Sequence, residues 1–246
     1  MRSIADQLLR ASRAMNRAAI AWDRKRPLPE NRVRPEFAKL PFAALAMQTL
    51  LDDYDFDTVL DVGAGEGLHA ETLQRAGKSV TAVDYGRSPY FEKAGGEMPF
   101  IVADFNRHEF DRRFDCVWCS HVLEHQPNAN RFLVKVRSVL EEGGVLALTV
   151  PPLKTQVVGG HLAMWTGGLL LYHLVVAGFD CREARLRRYG YNISVLLTKR
   201  TIDVNDRLVY DQGDIRRLRE FLPERLRFEP NPQDDPFEGE IRAINW

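Results

Sequence analysis

The sequence has no surplus of either charge: Lys and Arg number 34, and Asp and Glu also number 34. That balance removes the broad attraction to phosphate on which nonspecific nucleic-acid binders rely, so nucleic acid is not an expected partner. Cysteine is scarce, at three residues in 246. Cys116, Cys119 and Cys181 are too few for a disulfide scaffold and suit a reducing compartment, which makes the cytoplasm the expected location. No secretory leader is expected, because Arg2, Arg10, Arg13 and Arg17 interrupt any apolar run near the start. Internal repeats and low-complexity stretches are absent. Only one long stretch, Thr155 to Phe179, lacks Asp, Glu, Lys and Arg. Glycines at 159, 160, 167 and 168, with His161 and His173, break it up. It therefore predicts a buried helix from about Gly168 to Ala177, closed by Gly178, and not an integral membrane segment.

What is present is an ordinary globular composition, 45% apolar and 28% charged. The basic stretch Arg2 to Lys39 predicts an N-terminal helical extension over 1–40, with an amphipathic helix at Ile4 to Trp22 and a connector carrying Pro27, Pro29 and Pro35. Residues 201–246 read as a polar, acidic C-terminal extension. For either end two readings stand, a contact for a partner or the other end, and a solvated surface. The part between, 41–200, opens with a helix at Phe42 to Leu51 and then alternates strand and helix signals. Strands are expected at Thr58 to Val62, Ser79 to Val83, Pro99 to Ala103, Phe114 to Cys119 and Val145 to Val150. Helices are expected at Gly67 to Ala76, around Tyr90 and Phe91, and at Asn128 to Leu140, the last ended by Gly143 and Gly144. Ala184 to Tyr189 and Ile193 to Lys199 flank Gly190-Tyr191-Asn192 as a hairpin. Such alternation gives a doubly wound, mostly parallel α/β sheet with a late antiparallel hairpin.

The segment Val59-Leu60-Asp61-Val62-Gly63-Ala64-Gly65-Glu66-Gly67 passes from a buried strand through a glycine turn into a helix. Such a turn lets a ligand lie against bare main chain at a helix N-terminus. Its G-x-G-x-G spacing differs from the G-x-G-x-x-G of dinucleotide sites, whose third glycine falls here on Leu68. Asp61 sets a carboxylate beside the loop, unfavourable for phosphate and favourable for a cationic ligand. Asp84 ends the second strand about twenty residues on, the spacing at which an acid reaches ribose hydroxyls.

These residues resemble motif I and the following strand ends of class I S-adenosylmethionine-dependent methyltransferases, a likeness that runs from about 57 to 152. The resemblance implies a seven-stranded Rossmann-like methyltransferase fold with S-adenosylmethionine as cofactor. Asp61, Gly63, Ala64, Gly65 and Gly67 would line the cofactor, with Asp84 on both ribose hydroxyls and Tyr85 beside it. Asp104 would meet the adenine amino group, and Phe105 would cover the ring. Phe114 to His125 resembles the family's fourth strand and its "hvLEH" turn, which sets Ser120 and His121 beside the cofactor. Asp61, Asp84 and Asp104 are also ordinary turn and cap formers taken one at a time. The downstream pattern, including "GHLAMW" and "YGYNIS", is similar to methyltransferases of bacterial surface-polysaccharide and small-molecule pathways.

A hydroxyl acceptor needs its proton removed, and His125, His161 and the neighbouring Glu124 are the candidate catalytic residues. The expected activity is O-methylation of a small molecule or carbohydrate hydroxyl. Pro151 to Lys154, Gly159 to Trp165, Tyr189, Tyr191 and Asn192 are candidate acceptor-pocket residues, with core or cover as the equal alternative for each. Cys116, Cys119, His121 and His125 have the look of a zinc set, but residues three apart on a strand face opposite ways, so no metal is expected. Two rivals stand beside this reading: a nucleotide-dependent oxidoreductase on the same sheet, and a non-catalytic cofactor-binding or scaffold protein.

Overall fold

A computed structural model of the chain describes residues 32–93, 99–211, 213–227, 237 and 239–246. The helix expected at Ile4 to Trp22 lies outside the described residues. The five parallel-type strands fall where the apolar runs predict them: β1 (Thr58–Val62), β2 (Ser79–Asp84), β3 (Phe100–Val102), β4 (Phe114–Ser120) and β5 (Leu140–Val150). The hairpin supplies β6 (Arg185–Tyr189) and β7 (Asn192–Thr198), and β8 (Ala243–Ile244) lies near the C-terminus. Together they form one sheet in the order β3-β2-β1-β4-β5-β7-β6-β8. Pairing is parallel from β3 through β5 and antiparallel from β5 through β8. The described sheet thus has eight strands, the expected seven and a two-residue edge drawn from the acidic tail.

Successive strand residues point to opposite faces, and both faces are covered. On one, Val59, Cys116, Trp118, Val145 and Ala147 pack with α1 (Ala44–Asp53), Phe37 and Phe56. On the other, Leu60, Val117, Cys119, Leu146 and Leu148 pack with α3 (Ala129–Val139) and α4 (Gly167–Val176). The helix α2 (Leu68–Arg75) follows the glycine turn. The predicted buried helix is α4, whose N-terminus is capped by Thr166 Oγ1 accepting the Leu169 N–H. No helix among the described residues is long and apolar enough to cross a membrane.

The chain leaves β1 for β2 and β3 on one side and then crosses to β4 on the other. This reversal opens a crevice at the C-terminal tips of β1 and β4, the usual place for a ligand in an open α/β sheet. Asp115 holds the opposite ends of these two strands together by accepting hydrogen bonds from the Thr58 N–H (2.9 Å) and hydroxyl (2.8 Å).

Two local expectations need correction. Only a 3-10 turn, Phe91–Lys93, stands where a helix around Tyr90 and Phe91 was expected. Gly143 and Gly144 do not end α3; the chain runs from Val139 straight into β5. Both glycines lie inside β5, near the register shift against β4 between Phe114 and Cys116. A Cβ at Gly144 would stand 2.7 Å from the Asp115 carbonyl oxygen, so bare main chain is needed there. The helix end is satisfied from a distance: the buried Lys199 donates from Nζ to the carbonyls of Arg137 (2.9 Å) and Leu140 (2.6 Å). The sequence held no local sign of this contact between residues about sixty apart.

Removing that amine leaves buried carbonyls without a donor. Lys199→Met is expected to lower unfolding free energy by roughly 1–3 kcal/mol in urea titrations, with cofactor-site binding unchanged once folded. A variant as stable as the parent would show that water replaces the amine at no cost.

Candidate functional site

The glycine turn at the tip of β1 is held from below by β2, since the N–H groups of Gly63 and Ala64 both donate to the Val83 carbonyl (2.8 and 3.3 Å). Gly63 sits at φ +73, and a Cβ there would come within 2.3 Å of a Val122 methyl. Glycine is therefore required for two reasons, backbone conformation and the close approach of the turn after β4. Gly67 caps α2 at φ +85.

Three acids stand at successive strand tips, in different states. Asp61 is 1% exposed, and its Oδ2 has no hydrogen-bond partner. Burial, with the nearby charge of Asp84 adding to it, pushes its carboxyl up to about 7, and a hydrogen bond from the Ala70 N–H pulls the other way. Asp84 accepts from the Gly65 N–H at 2.9 Å and the Gly86 N–H at 2.8 Å, so it braces the loop across the crevice. Asp104 folds onto its own turn, accepting from the Asn106 N–H at 3.0 Å. Asn106 in turn donates to Gln126 Oε1 at 2.9 Å, joining the turn after β3 to the turn after β4.

Of the remaining cofactor-side residues, Tyr85 is exposed beside Asp84, with the Arg87 guanidinium over its ring. The Ser120 hydroxyl is buried and has no partner. Phe105 requires correction: its ring is in the core, 5.2 Å from the Phe132 ring, and is not free to cover a base. His121 adopts φ +58, an uncommon conformation for a residue with a side chain. Its Nε2 lies 3.0 Å from Asn192 Oδ1, and its ring packs 4.3 Å from Phe42. Sequence reasoning missed Phe42 and also His69, whose Nε2 meets the Phe42 carbonyl at 3.0 Å. Burial drives the His69 imidazole down to about 4, so it is neutral. Neither residue belongs to a spacing pattern.

On the other side of the crevice the fold brings Glu124, His125 and His161 together. Leu162 N–H donates to the Glu124 carbonyl at 2.7 Å, drawing the glycine loop after β5 onto the turn after β4. The rings of His125 and His161 meet edge to face at 5.0 Å. Partial burial lowers the His161 imidazole below its ordinary value, partly offset by Glu124. Glu124 is 0% exposed, and neither carboxylate oxygen has a hydrogen-bond partner. A small cleft beside this cluster is lined by Pro151, Lys154, Val157, His161, Met164 and Tyr191, with the Lys154 amine 4.0 Å from the Tyr191 ring centroid. Two expected pocket residues are structural instead. Trp165 is a core residue, and the Tyr189 hydroxyl is committed to the Ala46 N–H and Ser194. Cys116 and Cys119 do face opposite sides of β4, in separate core clusters.

Comparison with known proteins agrees with this layout. The family model described as a methyltransferase domain matches residues 60–148. The chain is similar to a ubiquinone biosynthesis O-methyltransferase of Paramagnetospirillum magneticum, 32% identical over 123 residues, covering 47% of this chain and 49% of that protein. A protein of the same name from Shewanella pealeana is 33% identical over 94 residues, 35% of this chain and 40% of that one. The chain thus spans half or less of the length of these relatives. Among solved structures, a Burkholderia thailandensis 1,6-didemethyltoxoflavin-N1-methyltransferase with its substrate and S-adenosylhomocysteine shares the fold at TM-score 0.53 and 18% identity, covering 82% of this chain and 92% of that one. With the glycine turn at the reversal of strand order and acids on three neighbouring strand tips, the segment 60–148 is a class I S-adenosylmethionine-dependent methyltransferase domain.

Proposed function

We propose that the protein transfers a methyl group from S-adenosylmethionine to a hydroxyl oxygen of a small molecule. One observation carries the cofactor side of this reading: a fully buried carboxylate, Asp61, with an oxygen that has no hydrogen-bond partner among the described residues. A cationic group is the partner that removes its desolvation cost, and the methyl donor carries both an ammonium and a sulfonium. When bound, S-adenosylmethionine supplies a methyl carbon activated by its positive sulfur and leaves as S-adenosylhomocysteine. Asp61 would hold the amino group, Asp84 and Tyr85 the ribose, and Ser120 and the Gly63 to Gly67 turn the nucleoside walls.

The acceptor side is assigned to Glu124, His125 and His161, whose task is to hold the hydroxyl and remove its proton in the transition state. Support for oxygen as the methylated atom comes from these basic groups and from relatives named as O-methyltransferases. Those relatives are named for ubiquinone biosynthesis. A carbohydrate acceptor and a role in polysaccharide biosynthesis, the finer reading of the sequence, find no support among them. The test is incubation with labelled donor and a panel of phenolic compounds and nucleotide sugars. Transfer only to protein or nucleic acid would overturn the proposal, as would calorimetry in which NADH binds and S-adenosylhomocysteine does not.

Asp84→Ala is expected to weaken S-adenosylhomocysteine binding by roughly 100-fold, since it removes charge-assisted hydrogen bonds to the sugar and the brace on Gly65. Equal affinity in parent and variant would remove Asp84 from the site. Asp61 supplies a pH prediction. Its charged form is populated as pH rises through about 7, so affinity for S-adenosylhomocysteine should fall below that pH, by at most roughly tenfold per pH unit. The sign for unliganded stability is opposite. Between the ordinary carboxylate range and about 7 the native state holds a proton that the unfolded chain has lost, so stability declines as pH rises across that window. Asp61→Asn should flatten both profiles, readable by calorimetry and by urea titration at several pH values.

A further inference from the structure

The acceptor-side cluster gathers three imidazoles, those of His121, His125 and His161, about one buried carboxylate, Glu124. His125 Nδ1 lies 2.8 Å from the Gly160 carbonyl, which can only accept, so Nδ1 carries the proton. The other ring nitrogen, Nε2, faces Glu124 Oε1 at 3.8 Å. His121 repeats the arrangement. Its Nε2 points at Asn192 Oδ1, which already accepts the Ala43 N–H, so His121 donates there. Its other nitrogen, Nδ1, lies 3.3 Å from the same Glu124 oxygen. Two imidazole nitrogens thus converge on a wholly buried carboxylate whose oxygens have no hydrogen-bond partner among the described residues. His161 joins from the loop after β5, and one ligand atom from each of Glu124, His125 and His161 lies within 4.8 Å of the others.

We infer that Glu124, His125 and His161 form a binding site for a divalent transition-metal cation. Two imidazole nitrogens and one carboxylate oxygen are a donor set suited to zinc, cobalt or manganese, whereas magnesium prefers oxygen alone. The bond that orients His125 is already made, since its Nδ1 donates to the Gly160 carbonyl and turns Nε2 toward Glu124. Three protein ligands leave a coordination position open. His125 is exposed at the crevice, so an oxygen ligand from solvent or substrate has access. This set escaped the cysteine-based zinc reading because it takes its third ligand from a loop 36 positions beyond His125.

The site deepens the proposed function, with the bound cation taking over the deprotonating role assigned above to Glu124, His125 and His161 themselves, and rests on it for one point only, the identity of the incoming ligand as the acceptor hydroxyl. A hydroxyl oxygen bound there would lose its proton to solvent more readily, leaving the oxygen lone pair to form the new C–O bond while the C–S bond electrons return to sulfur. Cation binding itself is independent of that step.

The experiment uses tag-free, chelator-stripped protein titrated with Zn²⁺ by calorimetry and with Co²⁺ by visible absorption. One ion per chain is expected, with ligand-field bands from Co²⁺ and no competition from excess Mg²⁺. His125→Ala and His161→Ala should each weaken Zn²⁺ binding by roughly 100-fold or more, beyond what second-shell losses cause. Both rings are at least partly exposed, so these variants fold even if the buried Glu124→Gln does not. No binding by the parent protein, or affinity unchanged in both histidine variants, would overturn the inference. S-adenosylhomocysteine binding, measured on the same samples, reports on the methyltransferase reading separately: its failure with Zn²⁺ binding intact would strike that reading and leave the cation site standing.

Discussion

At the centre of the sheet, where the order of strands reverses, a carboxylate is held out of water with one oxygen unanswered. Asp61 could face solvent at little cost; instead β1 places it beneath the glycine turn, shut in by α2 and close to a second acid at the tip of β2. A carboxyl pushed up to about 7 is the signature of that placement. Much of the surrounding geometry follows from the need to keep this group positioned. Gly63 and Ala64 are tied to Val83, Gly65 is tied to Asp84, and Asp115 clamps the far ends of β1 and β4. The cost is accepted locally because the rest of the sheet, covered on both faces by apolar packing, is stable enough to bear it.

The crevice has two chemically distinct walls. One presents acids and bare main chain and suits a cationic nucleoside; the other presents imidazoles and a second buried carboxylate, Glu124. Each wall holds a buried acid, Asp61 at the tip of β1 and Glu124 in the turn after β4. What differs is the neighbourhood. Asp61 sits beside another acid, so its charge is disfavoured until a positive ligand arrives, whereas Glu124 is surrounded by imidazole nitrogens able to share a cation.

Strand positions, the glycine turn and the acids at strand ends were legible in the sequence because each depends on local spacing: apolar runs of period two, and short-range turn chemistry. Where the outcome depended on distant residues, local spacing failed. The end of α3 is settled by Lys199, far along the chain, and not by the glycines three and four positions past Leu140. Phe105 has the position of a ring over a base, but the core offers it Phe132 and Phe110 and takes it. Phe42 carries no motif and reaches the site from the chain just before α1, where its carbonyl meets His69 at the start of α2. His125 and His161 could each be named from sequence as bases. Their meeting around Glu124 required the loop after β5 to fold back, held there by hydrogen bonds from Leu162 to Glu124 and between His125 and Gly160.

The methyl of Val122 occupies the space where Gly63 has no side chain. Val122 is also two residues before Glu124, so this contact ties the two walls of the crevice together. Neither can shift without pressing on the other. Coupled equilibria are reciprocal: if filling the nucleoside side tightens the imidazole side by some factor, the converse must hold by the same factor. A bulkier or smaller residue at 122 would then alter the cooperativity between two ligands while touching neither of them.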